Sequence, residues 1–220
     1  MKIKNQNILI DKVLLDLKEE KVCILPTDTF YSLSVVADSI KSIENLFRIK
    51  KREINKPIPL LISGLKDIEK FCDISSIKLK KITEKFWPGP LTIVLPANNL
   101  LPTKLNNGSG FIGVRVPNHS FTKQVIKKLG KPITGTSANI SNIPPSKNIQ
   151  EIISTFGRSV STIVNIDCGK ENLSSTVIKI DKNESIDILR EGPITLANIN
   201  KIINDKINEK FFRKFRNCLI

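Results

Sequence analysis

The apolar residues of this chain come in short bursts. KVCIL at 21–25, LTIVLP at 91–96, FIGVRVP at 111–117, STIVNI at 161–166, STVIKI at 175–180 and SIDILR at 185–190 are rich in Val, Ile and Thr and are bounded by Pro, Gly, Asn or Asp. Runs of this length and composition predict buried or half-buried β-strands. None approaches the about 18 consecutive apolar residues of a bilayer-spanning helix.

Segments of helical period lie between the early runs. Ile10, Val13, Leu14 and Leu17 share a face within 7–20, and Ile43, Leu46 and Phe47 share one within 39–50. A short strand is expected at Pro59–Ile62. Two short helices fit between Leu65 and Trp87, stopped by Pro88-Gly89-Pro90, and another runs from His119 to Leu129 before Gly130. PITGTSA reads as strand-like, and a helix near 148–156 precedes the last three strands. Only turn residues separate those three strands, which favours antiparallel pairing over helical crossovers. The order predicts an α/β fold, a mixed sheet covered by helices, in one domain over 1–205. The basic, aromatic tail at 206–220 is expected to pack its phenylalanines on the core, with a contact to RNA or a membrane surface as the alternative.

The chain has 220 residues, 40% hydrophobic and 25% charged, enough to bury a core without disulfide staples. Cysteines 23, 72, 168 and 218 form no CxxC pair, and Asp11, Lys12 and Asp16 interrupt any secretory apolar core, so a cytoplasmic protein is expected. The formal net charge of +14 favours polyanionic partners, RNA or nucleotides among them, or reflects a solvated lysine-rich surface.

Two motifs are decoys or absent. Gly108-Ser-Gly110-Phe-Ile-Gly113 spells a dinucleotide fingerprint but follows a polar loop and enters a strand, where no helix N-terminus can receive a pyrophosphate. No GxxxxGK[ST] loop occurs. The single histidine, His119, excludes multi-histidine metal sites. What remains is polar chemistry at strand ends. PTDTFYSL at 26–33 places Thr27, Asp28, Thr29 and Tyr31 in the turn leaving a strand, as a substrate contact or as a Ser/Thr turn. IKKREINKP gathers Lys50, Lys51, Arg52 and Lys56, a phosphate grip or a solvated helix end. TGTSAN offers Ser137 and Asn139. The Asn- and Gly-rich connection at 97–110 is suited to act as a lid over a neighbouring site.

In order, PTDTFYSL, Lys50-x-Arg52, KPIPLLIS, PGPLT, GVRVPNH, TSAN, STV and ILREGPI resemble the YrdC-like threonylcarbamoyl-AMP synthase family over about residues 8–200. The resemblance implies an open, twisted mixed sheet curved around a basic cavity, in the short single-domain form. It implies condensation of L-threonine, bicarbonate and ATP to threonylcarbamoyl-adenylate with release of pyrophosphate. Partner proteins then transfer the threonylcarbamoyl group to adenosine 37 of tRNA, and the +14 charge adds a direct tRNA contact as an expectation. On the family pattern Lys50 and Arg52 are the catalytic pair on the ATP phosphates. Lys56, Ser137, Asn139 and Arg190 complete the ATP side, while Thr29, Tyr31, Arg115, Ser137 and Ser175 form the threonine side. Magnesium is expected with ATP, without a protein metal cage or a tightly bound organic cofactor. Ser32 departs from the family's glycine, Lys51 and Glu53 from its usual neighbours of the arginine, and Leu61 from a histidine of some members. A diverged YrdC-like RNA- or nucleotide-binding protein without synthase activity is the alternative these departures imply.

Overall fold

A computed structural model describes residues 2–53, 56–70, 72, 76–98 and 100–204. The tail at 206–220 lies outside the described residues. Helix α1 (Lys2–Lys18) begins five residues before the expected start and buries Ile10, Val13 and Leu17. The apolar stripe marks only the face that packs, so it does not by itself fix where the helix begins. Helix α2 (Ile40–Lys50) starts where the Ser39 hydroxyl accepts the amide of Ser42 and stops at Lys51, which takes a left-handed φ of 51°. Helices α3 (Leu65–Ile68) and α4 (Ile77–Phe86) fill the expected interval, and α5 (Ser120–Leu129) ends at Gly130 with φ +70°. Helix α6 (Ile149–Phe156) is capped by Asn148, and α7 (Leu196–Asn204), which the periodicity did not single out, packs on α4.

The expected mixed sheet is present as two. In the first, β1 (Cys23–Leu25) lies between β2 (Ser32–Ser34), antiparallel to it, and β8 (Thr162–Ile163), parallel to it. β7 (Thr136–Ser137) closes the β2 edge. The second sheet runs β10 (Ile186–Arg190), β9 (Thr176–Ile180), β4 (Leu91–Pro96), β5 (Phe111–Arg115), β3 (Leu60–Leu61), β6 (Ile133–Thr134). The antiparallel pairing expected of the last strands holds for β9 and β10 alone. β8 instead joins the other sheet, because Thr162 hydrogen-bonds the buried Asp16 of α1 at 2.6 Å and is held beside β1.

Gly135 is the corner between the sheets. A Cβ there would come within 2.7 Å of Leu61, so only glycine lets the chain step from β6 to β7 so close to that side chain. Strand alternation then builds two apolar layers. Ile24, Leu33, Leu60, Ile62, Ile93, Val114 and Ile178 belong to the larger core, while Cys23, Leu25 and Leu61 turn to the other side with Ile10, Leu17, Phe121 and Val125. GxGxxG enters β5, a strand, as the sequence required. Within the 97–110 connection a short 3-10 turn (Thr103–Leu105) is anchored: Leu105 is fully buried, and its carbonyl accepts the amide of Ile58 at 2.8 Å.

Candidate active site

Strand ends and turns from both sheets enclose a cavity of about 360 Å³. Thr29, Tyr31, Arg52, Arg115, Ser137, Ser175 and Arg190 line it, so seven of the ten expected site residues meet in one place. Lys50, Lys56 and Asn139 do not line it. No carboxylate, histidine or lysine stands among the described residues that do.

The threonine-side candidates cluster at the ends of β1, β5 and β9. Thr27 closes the turn after β1 by donating to the carbonyl of Phe30 at 2.7 Å and accepting the amide of Thr29 at 3.1 Å. The Ser/Thr turn and the site are therefore the same structure: the turn fixes Thr29 in the cavity wall. Arg115, only 6% exposed at the end of β5, donates from Nε to the Gly89 carbonyl at 3.0 Å and from Nη1 to the Thr29 hydroxyl at 3.2 Å. Its Nη2 meets Asp28 Oδ1 at 2.5 Å. Burial lowers its affinity for the proton, and Asp28 opposes that. Tyr31 turns its hydroxyl away to the carbonyl of Ile166 at 3.0 Å, and burial pushes the phenol up to about 12, so it enters the site neutral.

Ser175 precedes β9 and shares a hydrogen bond with Thr92 at 2.8 Å. Arg190, at the end of β10, donates to the Ser175 carbonyl from Nε at 3.1 Å and from Nη2 at 2.8 Å. Gly192 permits this crossing, since a Cβ there would lie 2.4 Å from the Ser174 carbonyl and 2.5 Å from the Thr176 amide. Thr92, which lines the cavity, has no role in the sequence expectations; the only signal for it there is a hydroxyl in PGPLT at the start of a strand.

The phosphate-side candidates divide. Arg52 lines the cavity and is braced by the carbonyls of Lys56 at 3.1 Å and Pro57 at 2.8 Å. Lys56 reaches Glu53 and Asn142, each at 3.4 Å. Lys50 is 2% exposed, and its ammonium is taken up by the Ser137 carbonyl at 2.5 Å, the Asn139 carbonyl at 3.0 Å and Asn139 Oδ1 at 2.8 Å. Burial, and then the nearby Arg52, push it down to about 7. The Ser137 hydroxyl donates to Asn139 Oδ1 at 2.5 Å, while Asn139 Nδ2 donates to the carbonyls of Ile140 and Ile143. Lys50 and Asn139 thus form the scaffold of the turn that presents Ser137.

Two departures from the family pattern are accommodated. Ser32 has ordinary strand geometry in β2, and its hydroxyl donates to the Thr136 carbonyl at 3.2 Å. Leu61 forms part of the apolar wall with Pro59, Val94 and Val177.

The sequence profile of the Sua5/YciO/YrdC family, described as Telomere recombination, matches residues 16–192. The chain is 34% identical over 155 residues to the threonylcarbamoyl-AMP synthase of Pseudoalteromonas atlantica, covering 70% of this chain and 83% of that protein. It is 31% identical over 178 residues to the threonylcarbamoyl-AMP synthase of Buchnera aphidicola, covering 80% and 94%. Among solved structures, that of Pyrococcus abyssi Sua5 complexed with L-threonine superposes with a TM-score of 0.83 at 28% identity, over 89% of this chain. The chain spans 57% of the length of that Pyrococcus protein.

Proposed function

The chain belongs to the Sua5/YciO/YrdC family, and from that membership and the cavity we propose that it is an L-threonylcarbamoyladenylate synthase. It condenses L-threonine, bicarbonate and ATP and releases pyrophosphate. The observation that carries the reading is one cavity walled by three arginines and several hydroxyls. Such a wall gathers anions and orients them; its described residues include no carboxylate, histidine or lysine to activate a hydroxyl, and the reaction needs no protein nucleophile.

The threonine amine and bicarbonate give a carbamate with loss of water. A carbamate oxygen attacks the α-phosphorus of ATP, and the bond to the pyrophosphate oxygen breaks. Arg115 carries five N–H donors, of which three are committed to protein partners. The two that remain, one on each Nη, suit a carboxylate, with Thr29 and Ser175 beside it for the amino acid's other polar groups. Arg52 and Arg190 supply the charges for the phosphates, and Ser137 sits between the two sides. Lys50 and Asn139 serve the nucleotide side by holding that turn, and Lys56 extends the cationic rim. Magnesium enters with ATP: a wall with hydroxyls but no carboxylate suits a cation held by phosphate oxygens and water. The product passes to threonylcarbamoyl-transferring proteins acting on tRNA in the cytoplasm, and the net charge of +14 supports a direct tRNA contact.

The test is pyrophosphate release from MgATP by the purified protein, with and without L-threonine and bicarbonate, with the adenylate sought by mass spectrometry. Release that requires both co-substrates is expected. A folded protein that binds ATP or RNA yet releases none would transfer the weight to a diverged binding member of the family.

A further inference from the structure

The most deeply buried arginine of the site has a partner that the cavity does not touch. Asp28 is 6% exposed and does not line the cavity. Its Oδ1 takes both of its hydrogen bonds, from Arg115 Nη2 at 2.5 Å and from the Asn118 amide at 3.0 Å, while Oδ2 is buried without a partner. Its backbone is wedged as well. A Cβ on residue 169 would lie 2.4 Å from the Asp28 carbonyl oxygen and 2.6 Å from its Cα, and the Gly169 amide donates to the Thr27 carbonyl at 2.8 Å. Residue 28 is thus held from two sides, its carboxylate by 115–118 and its backbone against Gly169.

The single-oxygen contact has a consequence for Arg115. A bidentate pair with Asp28 would occupy two guanidinium donors side by side. Contact through Oδ1 alone occupies one, and Nη1 remains for Thr29 and for the cavity. Three fixed acceptors, Gly89, Thr29 and Asp28, then define the plane and rotation of the guanidinium.

We propose that Asp28 is a positioning residue, which acts through Arg115 to aim its two uncommitted N–H groups at the amino-acid carboxylate. The inference rests on the reading of Arg115 given above. Asp28→Asn keeps shape and one acceptor but removes the charge. It is expected to raise the KM for L-threonine and weaken threonine binding in calorimetry by about tenfold to a hundredfold, the usual effect of losing a charge-assisted hydrogen bond. The KM for ATP should stay within about twofold, since the ATP side has its own arginines. Gly169→Ala, which displaces Asp28 without removing any charge, should shift the threonine KM in the same direction. In an Arg115→Ala background Asp28→Asn should add nothing.

Unchanged threonine binding in Asp28→Asn, or losses that add fully in the double variant, would overturn the inference. Solvent exchange of the Arg115 Nε proton, followed by NMR without substrate, keeps it separate from the assigned function. Faster exchange in Asp28→Asn supports positioning even if the wild-type protein binds no threonine; unchanged exchange refutes it.

Discussion

Lys50→Met separates the two things a buried ammonium does. With Lys50 pushed from the ordinary 10.5 to about 7, the charged form is about 5 kcal/mol less favourable inside the fold than in water, at about 1.4 kcal/mol per unit. The substitution removes that burden. It also strips the Ser137 and Asn139 carbonyls of their donor, at about 1–3 kcal/mol each, while Asn139 Oδ1 keeps the Ser137 hydroxyl. At pH 6 the terms oppose, and the variant should unfold within about 2 kcal/mol of wild type. The difference must then move with pH. Between about 7 and 10.5 the unfolded chain holds the lysine proton and the folded chain does not, so raising pH favours the folded wild type. This contribution is complete above the unfolded value and is lost as pH falls through about 7. Wild type should gain about 2 kcal/mol on Lys50→Met from pH 7 to pH 9. Urea unfolding of both proteins at pH 6, 7, 8 and 9 measures it, and other titrating groups cancel in the difference. A flat difference would refute the reasoning, because it would mean that three oxygens hold the proton as firmly as water does.

Arg115→Lys replaces a planar fork by a point charge; the KM for L-threonine should rise about tenfold or more in steady-state kinetics, with the KM for ATP little changed. Thr162→Val removes the hydroxyl that binds Asp16 Oδ2 at 2.6 Å. Burial would raise the Asp16 carboxyl, but hydrogen bonds from Lys12, Thr162 and Ser161 hold it below the usual carboxylate range, so the variant should lose about 1–3 kcal/mol in urea. Gly135→Ala forces a methyl to within 2.7 Å of Leu61 and should cost about 1–3 kcal/mol as overpacking. Leu61→Ala in the same chain should recover part of the lost melting temperature.

Most strands came through in the sequence, since β1, β3, β4, β5, β8, β9 and β10 each lie within a short apolar run read as a strand, and the helix ends that came through are those with local caps, Ser39, Asn148 and Gly130. Local chemistry is enough to set these. The division into two sheets was not legible, because Gly135 looks like one more residue of a PITGTSA strand until Leu61 is placed against it. The partner of β8 was not legible either: it depends on Asp16, 146 residues away. Ser32–Ser34 is too short and polar to read as a strand on its own. In the site, no single motif was informative, while their order was. K-x-R reads as two adjacent cations, yet Lys50 is the last helical residue and Lys51 turns left-handed, so Arg52 leaves in another direction. One cation goes to the wall and the other behind it.

That division has a chemical logic. Burial lowers the proton affinity of four cations at or beside this cavity: Arg52, Arg115, Arg190 and Lys50 all shift in the same direction for the same first cause. A guanidinium starts so far above neutrality that it stays charged after such a shift. An ammonium does not, and at about 7 it is half discharged in neutral solution. A wall that must neutralise phosphates in a space drier than water therefore has to be built from arginine. A lysine in the same surroundings is more use where its hydrogen bonds matter more than its charge, which is where Lys50 stands, between the end of α2 and the turn that carries Ser137.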